Sequence, residues 1–305
     1  MTNGTVVVST YKRPIYLDRC LKSVVPLHFN IIIVDNAADQ ETLKVAKKYS
    51  AEYIICENSL MLNVNKNYGF LKANTEWILS LDDDEELSNE LCLSIVETVK
   101  RDDPAIAGVW IPRKNIIFGK WIRHGVWWPD AQLRLFRKGK GRFPEKHVHE
   151  YIQVDGDTST LDIPFLHHNY HSIEQFLYKM EYIYTPSEVN KLEAQEYVVG
   201  WYDAIRFPIS DFIKVYFAQK GYKDGLHGLV LSILQAFYMF IVFVKLWEKD
   251  GFSEVEIPLS DVTHELSQKS KESAYWALTS LMAETSNSLF RFWYQIKRFI
   301  IHHWL

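Results

Sequence analysis

This sequence contains few cysteines, glycines and prolines, and its net charge is small. The three cysteines are odd in number and widely spaced, so the sequence predicts neither a disulfide framework nor a zinc site. With only 13 Gly and 10 Pro, and with 48% apolar residues, the disordered and low-complexity classes are excluded. A formal net charge of −4 argues against a general nucleic-acid-binding protein, which would carry a strong basic excess.

The first residues, MTNGTVVVST, also lack the basic and long apolar segments of a cleavable secretory signal. Together with the sparse cysteines, this predicts a reducing, cytosolic environment. Aromatic residues are abundant instead, with 10 Trp, 17 Tyr and 17 Phe among 305 residues. A chain of this length forms one large domain, or one domain with an appendage.

The first 170 residues alternate short β-branched runs with amphipathic segments. The predicted strands are residues 5–9, 30–35, 53–56 and 77–82, and the predicted helices are 14–25, 39–49, 62–73 and 88–100. Continuous apolar strands separated by helices are typical of a mostly parallel sheet covered on both faces. The sequence therefore predicts an α/β fold, whose ligands bind beyond the carboxyl ends of the strands.

The remainder of the chain has a different pattern. A Trp-rich stretch after residue 105 predicts antiparallel strands and long loops, because it is too aromatic to be disordered. From about residue 171 the pattern is helical, and residues 225–244 carry no formal charge. We therefore divide the chain into a first domain, 1–170, and a helical region, 171–305.

Five consecutive acids, 82–86, directly follow the fourth predicted strand in WILSLDDDEEL. Crowded carboxylates repel one another and need a cation or hydrogen bonds to compensate. A divalent metal ion that also binds a diphosphate would do so. The alternative is that the acids cap the next helix. Their position at the end of a predicted central strand favours the metal site.

These motifs resemble those of a known family. WILSLDDDEEL resembles the strand and Asp-x-Asp motif of family 2 inverting glycosyltransferases with the GT-A fold. The stretches VVVSTYKRPIYLDRCLKSV, IIIVDNAAD and NKNYGFLKANTEWILSLD resemble the family's other motifs in the same order. Two differences are a missing glycine after the second strand and a lysine, Lys66, where the family usually has arginine.

Later segments resemble one subgroup of that family. HGVWWPDAQLRLFRK, HHNYHSIEQFLYKMEYIYT and residues 214–248 are similar to lipopolysaccharide inner-core β-1,4-glucosyltransferases. The resemblance implies that a hexose, with glucose from UDP-glucose the leading choice, is transferred to a lipid-linked saccharide acceptor such as the lipopolysaccharide or lipooligosaccharide inner core. Residues 1–170 would then be the GT-A catalytic domain.

The resemblance also assigns candidate residues to the nucleotide sugar. An aromatic ring and a carboxylate suit stacking on uracil and hydrogen bonding to it, while cationic side chains suit a diphosphate. Local alternatives stay open, namely a strand-end turn or helix cap for Tyr11 and Asp35 and a solvated helix face for Lys66 and Asn67. The candidates are Thr10, Tyr11, Arg13, Asp35, Lys66, Asn67, Asp82 and Asp83.

For the metal, Mn²⁺ or Mg²⁺, the family pattern implies Asp84, Asp82 and His167 as ligands. The metal would act as a Lewis acid on the departing diphosphate. His168 and His171 lie close to His167 in the sequence and leave that assignment open, since a lone histidine is more often structural.

Inverting transfer needs a base for the acceptor hydroxyl. Glu150 stands where the family usually places this acid, and Asp130 of WWPDAQ competes with it; a simple surface acid is the alternative for both. The candidates for acceptor binding are Trp127, Trp128, Gln132 and Arg134. The tryptophans suit sugar faces, but they are also ordinary core residues.

A membrane association is also predicted. The uncharged run 225–244 has the length of a spanning helix, but the basic, acid-free residues 285–305 disfavour a simple span by the positive-inside rule. We expect monotopic or re-entrant insertion at the cytoplasmic face of the inner membrane, through segments at about 212–248 and 289–305. Burial in a helical core or a dimer interface is the alternative.

Two other functions fit parts of the pattern. One is a non-catalytic, membrane-associated protein that binds sugar or lipid. The other is a phosphatase of the Asp-x-Asp type, but that motif requires Thr two residues after its second Asp, where this chain has Glu86.

Overall fold

The structure, a computed structural model, describes residues 3–56, 62–145 and 150–304. The chain divides into two compact units, the first containing residues 1–121 and 128–171 and the second containing 122–127 and 172–305. Val148 and His149, which precede the candidate base in the VHEY motif, lie outside the described residues.

The first unit is built on a mixed, mostly parallel sheet with helices. Its strands are β1 (Gly4–Thr10), β2 (Asn30–Asp35), β3 (Glu52–Ile55), β4 (Trp77–Asp82), β5 (Glu85–Glu86), β6 (Ile106–Ile117), β7 (Lys120–Trp121), β8 (Ala131–Arg137), β9 (Gly141–Arg142), β10 (Gln153–Val154), β11 (Asp157–Thr160) and β12 (Phe165–Tyr170). Its helices are α1 (Pro14–Val24), α2 (Gln40–Lys48), α3 (Leu62–Lys72) and α4 (Asn89–Arg101).

Strand order places β1 between β2 and β4. The order is β3-β2-β1-β4-β8-β6-β12-β5, and β7 and β11 also pair with β6. Strands β1 to β4 are mutually parallel, and β8 runs antiparallel to both of its neighbours. The predicted antiparallel character after residue 105 is therefore right for β8, but β11 and β12 pair parallel to β6.

Side chains on β1 explain the continuous apolar strands. Val6 and Val8 pack in one core cluster and Val7 in another, so apolar side chains are required on both faces of the sheet. On one side, α1 buries Leu17 and Leu21 against this core. The mostly parallel α/β architecture predicted from the sequence is confirmed.

The chain reverses its winding direction between β1 and β4. From β1 it proceeds outward through β2 and β3, then returns to place β4 on the other side of β1. Ser9 on β1 is in register with Asp82 on β4. This is a topological switch point, where open α/β sheets bind ligands beyond the carboxyl ends of their strands.

The second unit is helical. Its helices are α5 (Ile173–Lys179), α6 (Thr185–Ala194), α7 (Asp203–Phe212), α8 (Leu226–Lys249), α9 (Leu259–Glu284) and α10 (Ser288–Trp304), with π-helical segments at Met180–Tyr184 and Ile213–Ala218. Residues 122–127 also belong to this unit, and the buried Asp224 carboxylate accepts main-chain N–H bonds from Arg123 and His124.

Helix α8 contains the uncharged run. Among the described residues it is the helix that is long and apolar enough to cross a membrane, a test that the core helix of a soluble protein also passes. Only 22% of its most apolar stretch is buried within the chain. Val242 and Leu246 of α8 pack with Val189 of α6. Ile233 and Phe237, also on α8, are exposed.

Candidate active site

The acidic run does not cap the next helix. Ser88 is the N-cap of α4, and its side chain accepts a hydrogen bond from the Leu91 N–H. Residues 83 and 84 instead form a turn between β4 and the short strand β5, which pairs with β12. The capping alternative is therefore wrong, because a serine closer to α4 already fills that role.

Asp82, at the end of β4, is held by two cations. Lys66 Nζ on α3 lies 2.5 Å from Asp82 Oδ1, and Arg134 Nη2 on β8 donates to Asp82 Oδ2 at 3.1 Å. Burial opposes ionisation, but these two positive charges hold the pKa of Asp82 well below its usual range. Asp82 is therefore a carboxylate with a cation on each oxygen.

Asp83 is the buried member of the run. Its Oδ2 accepts hydrogen bonds from Thr10 Oγ1 at 2.7 Å and from Arg13 Nε at 3.2 Å. Burial raises the pKa of Asp83 to about 7, with a further contribution from Asp84 and against the opposing charge of Arg13. Thr10 and Arg13 thus position the turn that carries the acids.

Asp84 faces His167 across the turn. His167 Nε2 on β12 lies 3.6 Å from Asp84 Oδ1, and Arg13 Nη1 donates to Asp84 Oδ2 at 3.0 Å. The neighbouring His168 points elsewhere, with its Nε2 2.7 Å from Glu86 Oε1. The His167 ring thus faces the Asp84 carboxylate, whereas His168 contacts Asp84 through its main chain, with its N–H donating to the Asp84 carbonyl at 2.9 Å.

These positions fit a divalent cation in part. Two ligands of one cation, each at about 2.0–2.2 Å, lie roughly 3–4 Å apart, and the separation of Asp84 Oδ1 from His167 Nε2 falls in that range. Asp82 does not join them, because Lys66 and Arg134 occupy its oxygens. Within the described ranges, no group of three or more His, Cys, Asp or Glu residues could hold a metal ion.

A cavity of about 250 Å³ lies beside Asp82. Its lining includes Lys66, Arg134 and Glu150, as well as Gln132. The structure therefore brings together residues that the sequence assigned separately to nucleotide-sugar binding, acceptor binding and catalysis. Arg134 is 5% exposed, and its Nη2 contacts both Asp82 and Glu85, so it serves the acidic run rather than an open acceptor surface.

Glu150 is oriented by two donors. Its Oε2 accepts hydrogen bonds from Asn63 Nδ2 at 3.2 Å and from the Glu145 main-chain N–H at 2.8 Å. Both of these bonds come from neutral N–H donors, and they fix the direction of the carboxylate.

Asp130, the competing base, is more tightly surrounded. Its Oδ2 accepts from Arg113 Nε and Asn115 Nδ2, each at 2.8 Å, and lies 2.6 Å from Arg113 Nη2. Its Oδ1 accepts from Gln132 Nε2 at 2.9 Å. Both oxygens of Asp130 are therefore already engaged by a guanidinium or an amide.

Other predicted residues have local roles. Asp35 accepts hydrogen bonds from the main-chain N–H groups of Ala37 and Asp39, each at 2.9 Å, which is the strand-end turn that the sequence left open. Asn67 bonds both main-chain groups of Phe143. It therefore does not join Lys66 beside Asp82, because successive helical residues point in different directions.

The aromatic candidates are separated. Tyr11, directly after β1, is 41% exposed, and the Lys12 ammonium lies 5.5 Å from the centroid of its ring. Trp128 packs edge-to-face on Trp121 with ring centroids 5.2 Å apart. Trp127 lies buried in the second unit beside Gly125, as expected of the core alternative.

Sequence reasoning missed several buried polar residues. Glu85 is fully buried, bonded to Arg134, and accepts the Asp82 main-chain N–H at 3.0 Å. Asn115, also fully buried, bonds His167 and Asp130. The signal for Asn115 was present, since PRKNII places three consecutive polar residues in an otherwise apolar strand, and Arg113 and Asn115 share one face of it.

Comparison with known proteins agrees with this geometry. A model described as Glycosyl transferase family 2 matches residues 5–154. The chain carries a family 2 glycosyltransferase domain. The match spans β1 to β10 and thus most of the sheet, and with the observed strand order it confirms the expected GT-A fold.

Relatives share most of their length with this chain. The lipopolysaccharide core biosynthesis glycosyltransferase LpsC of Rhizobium meliloti (strain 1021) is 25% identical over 244 residues, covering 77% of this chain and 88% of that protein. An uncharacterized glycosyltransferase of Rickettsia prowazekii (strain Madrid E) is 25% identical over 240 residues, covering 75% and 81%. The transferase activity predicted from the sequence is confirmed at this level.

Two solved structures are also similar. S. aureus TarS 1-349 in complex with UDP covers 80% of this chain and 91% of that one, with 15% identity and a TM-score of 0.42. The mannosyltransferase PcManGT from Pyrobaculum calidifontis in complex with GDP-Man and Mn²⁺ covers 99% and 87%, with 12% identity and a TM-score of 0.44.

Proposed function

We propose that this chain is a metal-dependent inverting glycosyltransferase that transfers glucose from UDP-glucose to a lipid-linked saccharide such as the inner core of lipopolysaccharide. One observation carries the proposal: Lys66, Asp82 and Glu150 line a single cavity at the carboxyl end of β4, next to the Asp84–His167 pair. The name of the R. meliloti relative, a lipopolysaccharide core biosynthesis enzyme, supports the class of acceptor.

The donor would bind across the switch point between β1 and β4. Lys66 and Arg13 supply positive charge for its diphosphate. The exposed ring of Tyr11 offers a stacking face for the base. Lys66 now neutralises Asp82, so a diphosphate would compete with that carboxylate for the ammonium group.

Asp84 and His167 would hold Mn²⁺ or Mg²⁺, and the cation would stabilise negative charge on the departing nucleoside diphosphate. Arg13, bonded to Asp83 and Asp84, keeps their turn in place, so that the Asp84 carboxylate is preorganised.

Glu150 is the better candidate for the base. It would take the proton of the acceptor hydroxyl while that oxygen forms a bond to the anomeric carbon and the bond to the diphosphate breaks, with its electron pair leaving on the diphosphate. Glu150 lines the cavity beside Asp82 and Lys66, whereas Asp130 is paired with the Arg113 guanidinium. This difference supports Glu150.

The second unit would attach the enzyme to the cytoplasmic face of the membrane. Helix α10 carries exposed Leu289, Phe292, Ile296 and Phe299 at helical spacing, with three basic residues and no acid. An apolar stripe with basic neighbours is typical of a helix that lies in a membrane interface. The exposed side chains of α8 support the same attachment.

Asp84→Asn tests the proposal. We expect wild-type protein with Mn²⁺, UDP-glucose and a lipid-linked core saccharide to give a β-linked product, identified by NMR of the new anomeric centre. Asp84→Asn should lose nearly all transfer and Mn²⁺-dependent donor binding, while the exposed Asp157→Asn serves as a matched control. Full activity in Asp84→Asn, metal-independent transfer or an α-linked product would overturn the proposal.

A further inference from the structure

Asp130 and His167 are connected through one buried side chain. Asn115 Nδ2 donates to Asp130 Oδ2 at 2.8 Å, and Asn115 Oδ1 lies 2.6 Å from His167 Nδ1. Asn115 sits on β6, and His167 on the neighbouring strand β12 is its register partner. The chain of contacts thus leads from the WWPDAQ loop to the histidine that faces Asp84.

The orientation of the Asn115 amide is determined by its partners. An ionised carboxylate only accepts hydrogen bonds, so the amide atom that faces Asp130 must be the nitrogen. The amide oxygen therefore faces His167, and because this oxygen only accepts, His167 Nδ1 must carry the proton.

When the ring is neutral, the state of the other ring nitrogen follows. In a neutral imidazole with a proton on Nδ1, the Nε2 atom presents its lone pair. That atom lies 3.6 Å from Asp84 Oδ1. Both atoms then present electron pairs at a separation that two ligands of one cation also have.

We propose that Asp130 and Asn115 are positioning residues that hold His167 as its Nδ1–H tautomer, with Nε2 directed at Asp84 for a divalent cation. The cation itself rests on the proposed function; the tautomer does not. Outer partners of this kind commonly orient metal-binding histidines. The proposal gives the acid of the WWPDAQ loop a role other than that of the base.

Nitrogen NMR of the histidine ring tests the tautomer directly. Metal-free full-length protein with ¹⁵N-labelled histidine is measured above about pH 8, where an unperturbed imidazole is neutral, and the His167 signal is assigned by its loss in His167→Gln. We expect a proton on Nδ1. Asn115→Leu should change His167 to the Nε2–H form that free histidine prefers, while His168 and His171 in the same spectrum remain unchanged.

Asp130→Asn is the conservative counterpart. Its amide oxygen is still able to accept from Asn115 and Arg113, so the His167 tautomer should persist. Mn²⁺ affinity, measured from the EPR signal of free Mn²⁺ in the presence of UDP, should fall about 10–100-fold in Asn115→Leu and change much less in Asp130→Asn.

The outcomes separate the two proposals. A proton on Nε2 of wild-type His167, or an unchanged His167 tautomer in Asn115→Leu, overturns the positioning role. An Nδ1–H tautomer that is lost in Asn115→Leu, in a protein that never binds Mn²⁺, upholds the positioning role and overturns the metal dependence.

Discussion

Lys66 Nζ lies 2.5 Å from Asp82 Oδ1, which joins helix α3 to the carboxyl end of β4. Lys66 is 8% exposed and also lies 5.4 Å from the centroid of the Phe143 ring. A lysine held this closely is not a solvated surface residue, which was the alternative that its sequence position allowed. It also lines the adjoining cavity, where the proposed function would place the diphosphate of the donor.

Replacing Lys66 should therefore weaken donor binding. Hydrogen bonds to charged groups contribute about 1.5–3 kcal/mol, so Lys66→Met should lower affinity for UDP-glucose by roughly 10–100-fold, measured by calorimetry. Lys66→Arg keeps the charge and should retain most of the affinity. Equal affinity in Lys66→Met and wild type would show that Lys66 does not contact the donor.

Glu85 should stabilise the fold rather than bind substrate. Its side chain is fully buried between Arg134 and the Asp82 N–H, so Glu85→Gln weakens a buried charge-assisted bond. We expect a loss of about 1–3 kcal/mol in the free energy of unfolding, measured in urea.

A second glutamate–arginine pair, exposed to solvent, provides the control for Glu85→Gln. Glu76 also contacts an arginine, Arg137, but its side chain is 47% exposed. Because exposed ion pairs contribute about 0–1 kcal/mol, Glu76→Gln should change the urea midpoint little. Similar losses in both variants would contradict a special role for Glu85.

The strands of the first unit were predictable because their two buried faces impose continuous apolar runs. The same reasoning located Thr10 and Asp82, since each lies at the carboxyl end of a strand of the parallel sheet. Lys66, in contrast, was assigned by the family resemblance. What the sequence could not provide was long-range pairing. Asn115 and His167 are 52 residues apart, and no local pattern links them.

The long-range contacts of Arg134 and of the segment 122–127 were also not predictable from the sequence. From the sequence alone, an arginine in a strand could bind a phosphate or pair with buried acids. Only the fold shows that Arg134 contacts Asp82 and Glu85. Residues 122–127 join the helical unit through Asp224, about 100 residues away in sequence. Such a contact leaves no periodic signal.

The two candidate bases should separate kinetically. If Glu150 accepts the proton, Glu150→Gln should lower kcat by about 10²–10⁴-fold with little change in KM for the donor. Asp130→Asn keeps most of its hydrogen bonds and should reduce kcat far less. The comparison is made by steady-state kinetics with both substrates varied, and a larger kcat loss in Asp130→Asn would reverse the assignment.

Helix α10 should govern membrane attachment. Phe292 and Phe299 lie two turns apart on one face and are 62% and 58% exposed, so their burial in lipid would contribute up to about 1.5–3 kcal/mol each. We expect Phe292→Ser/Phe299→Ser to weaken binding to vesicles of phosphatidylethanolamine and phosphatidylglycerol at least about tenfold. Sedimentation with the vesicles measures this.

The control removes comparable apolar surface from the first unit. Leu93 on α4 and Ile55 on β3 are 66% and 61% exposed, and Leu93→Ser/Ile55→Ser should bind vesicles like wild type if α10 is the attachment site. The basic residues of α10 add attraction to anionic lipid, so binding should weaken when phosphatidylcholine replaces phosphatidylglycerol. Equal losses in the two double variants, or no loss in either, would place the attachment elsewhere in the chain.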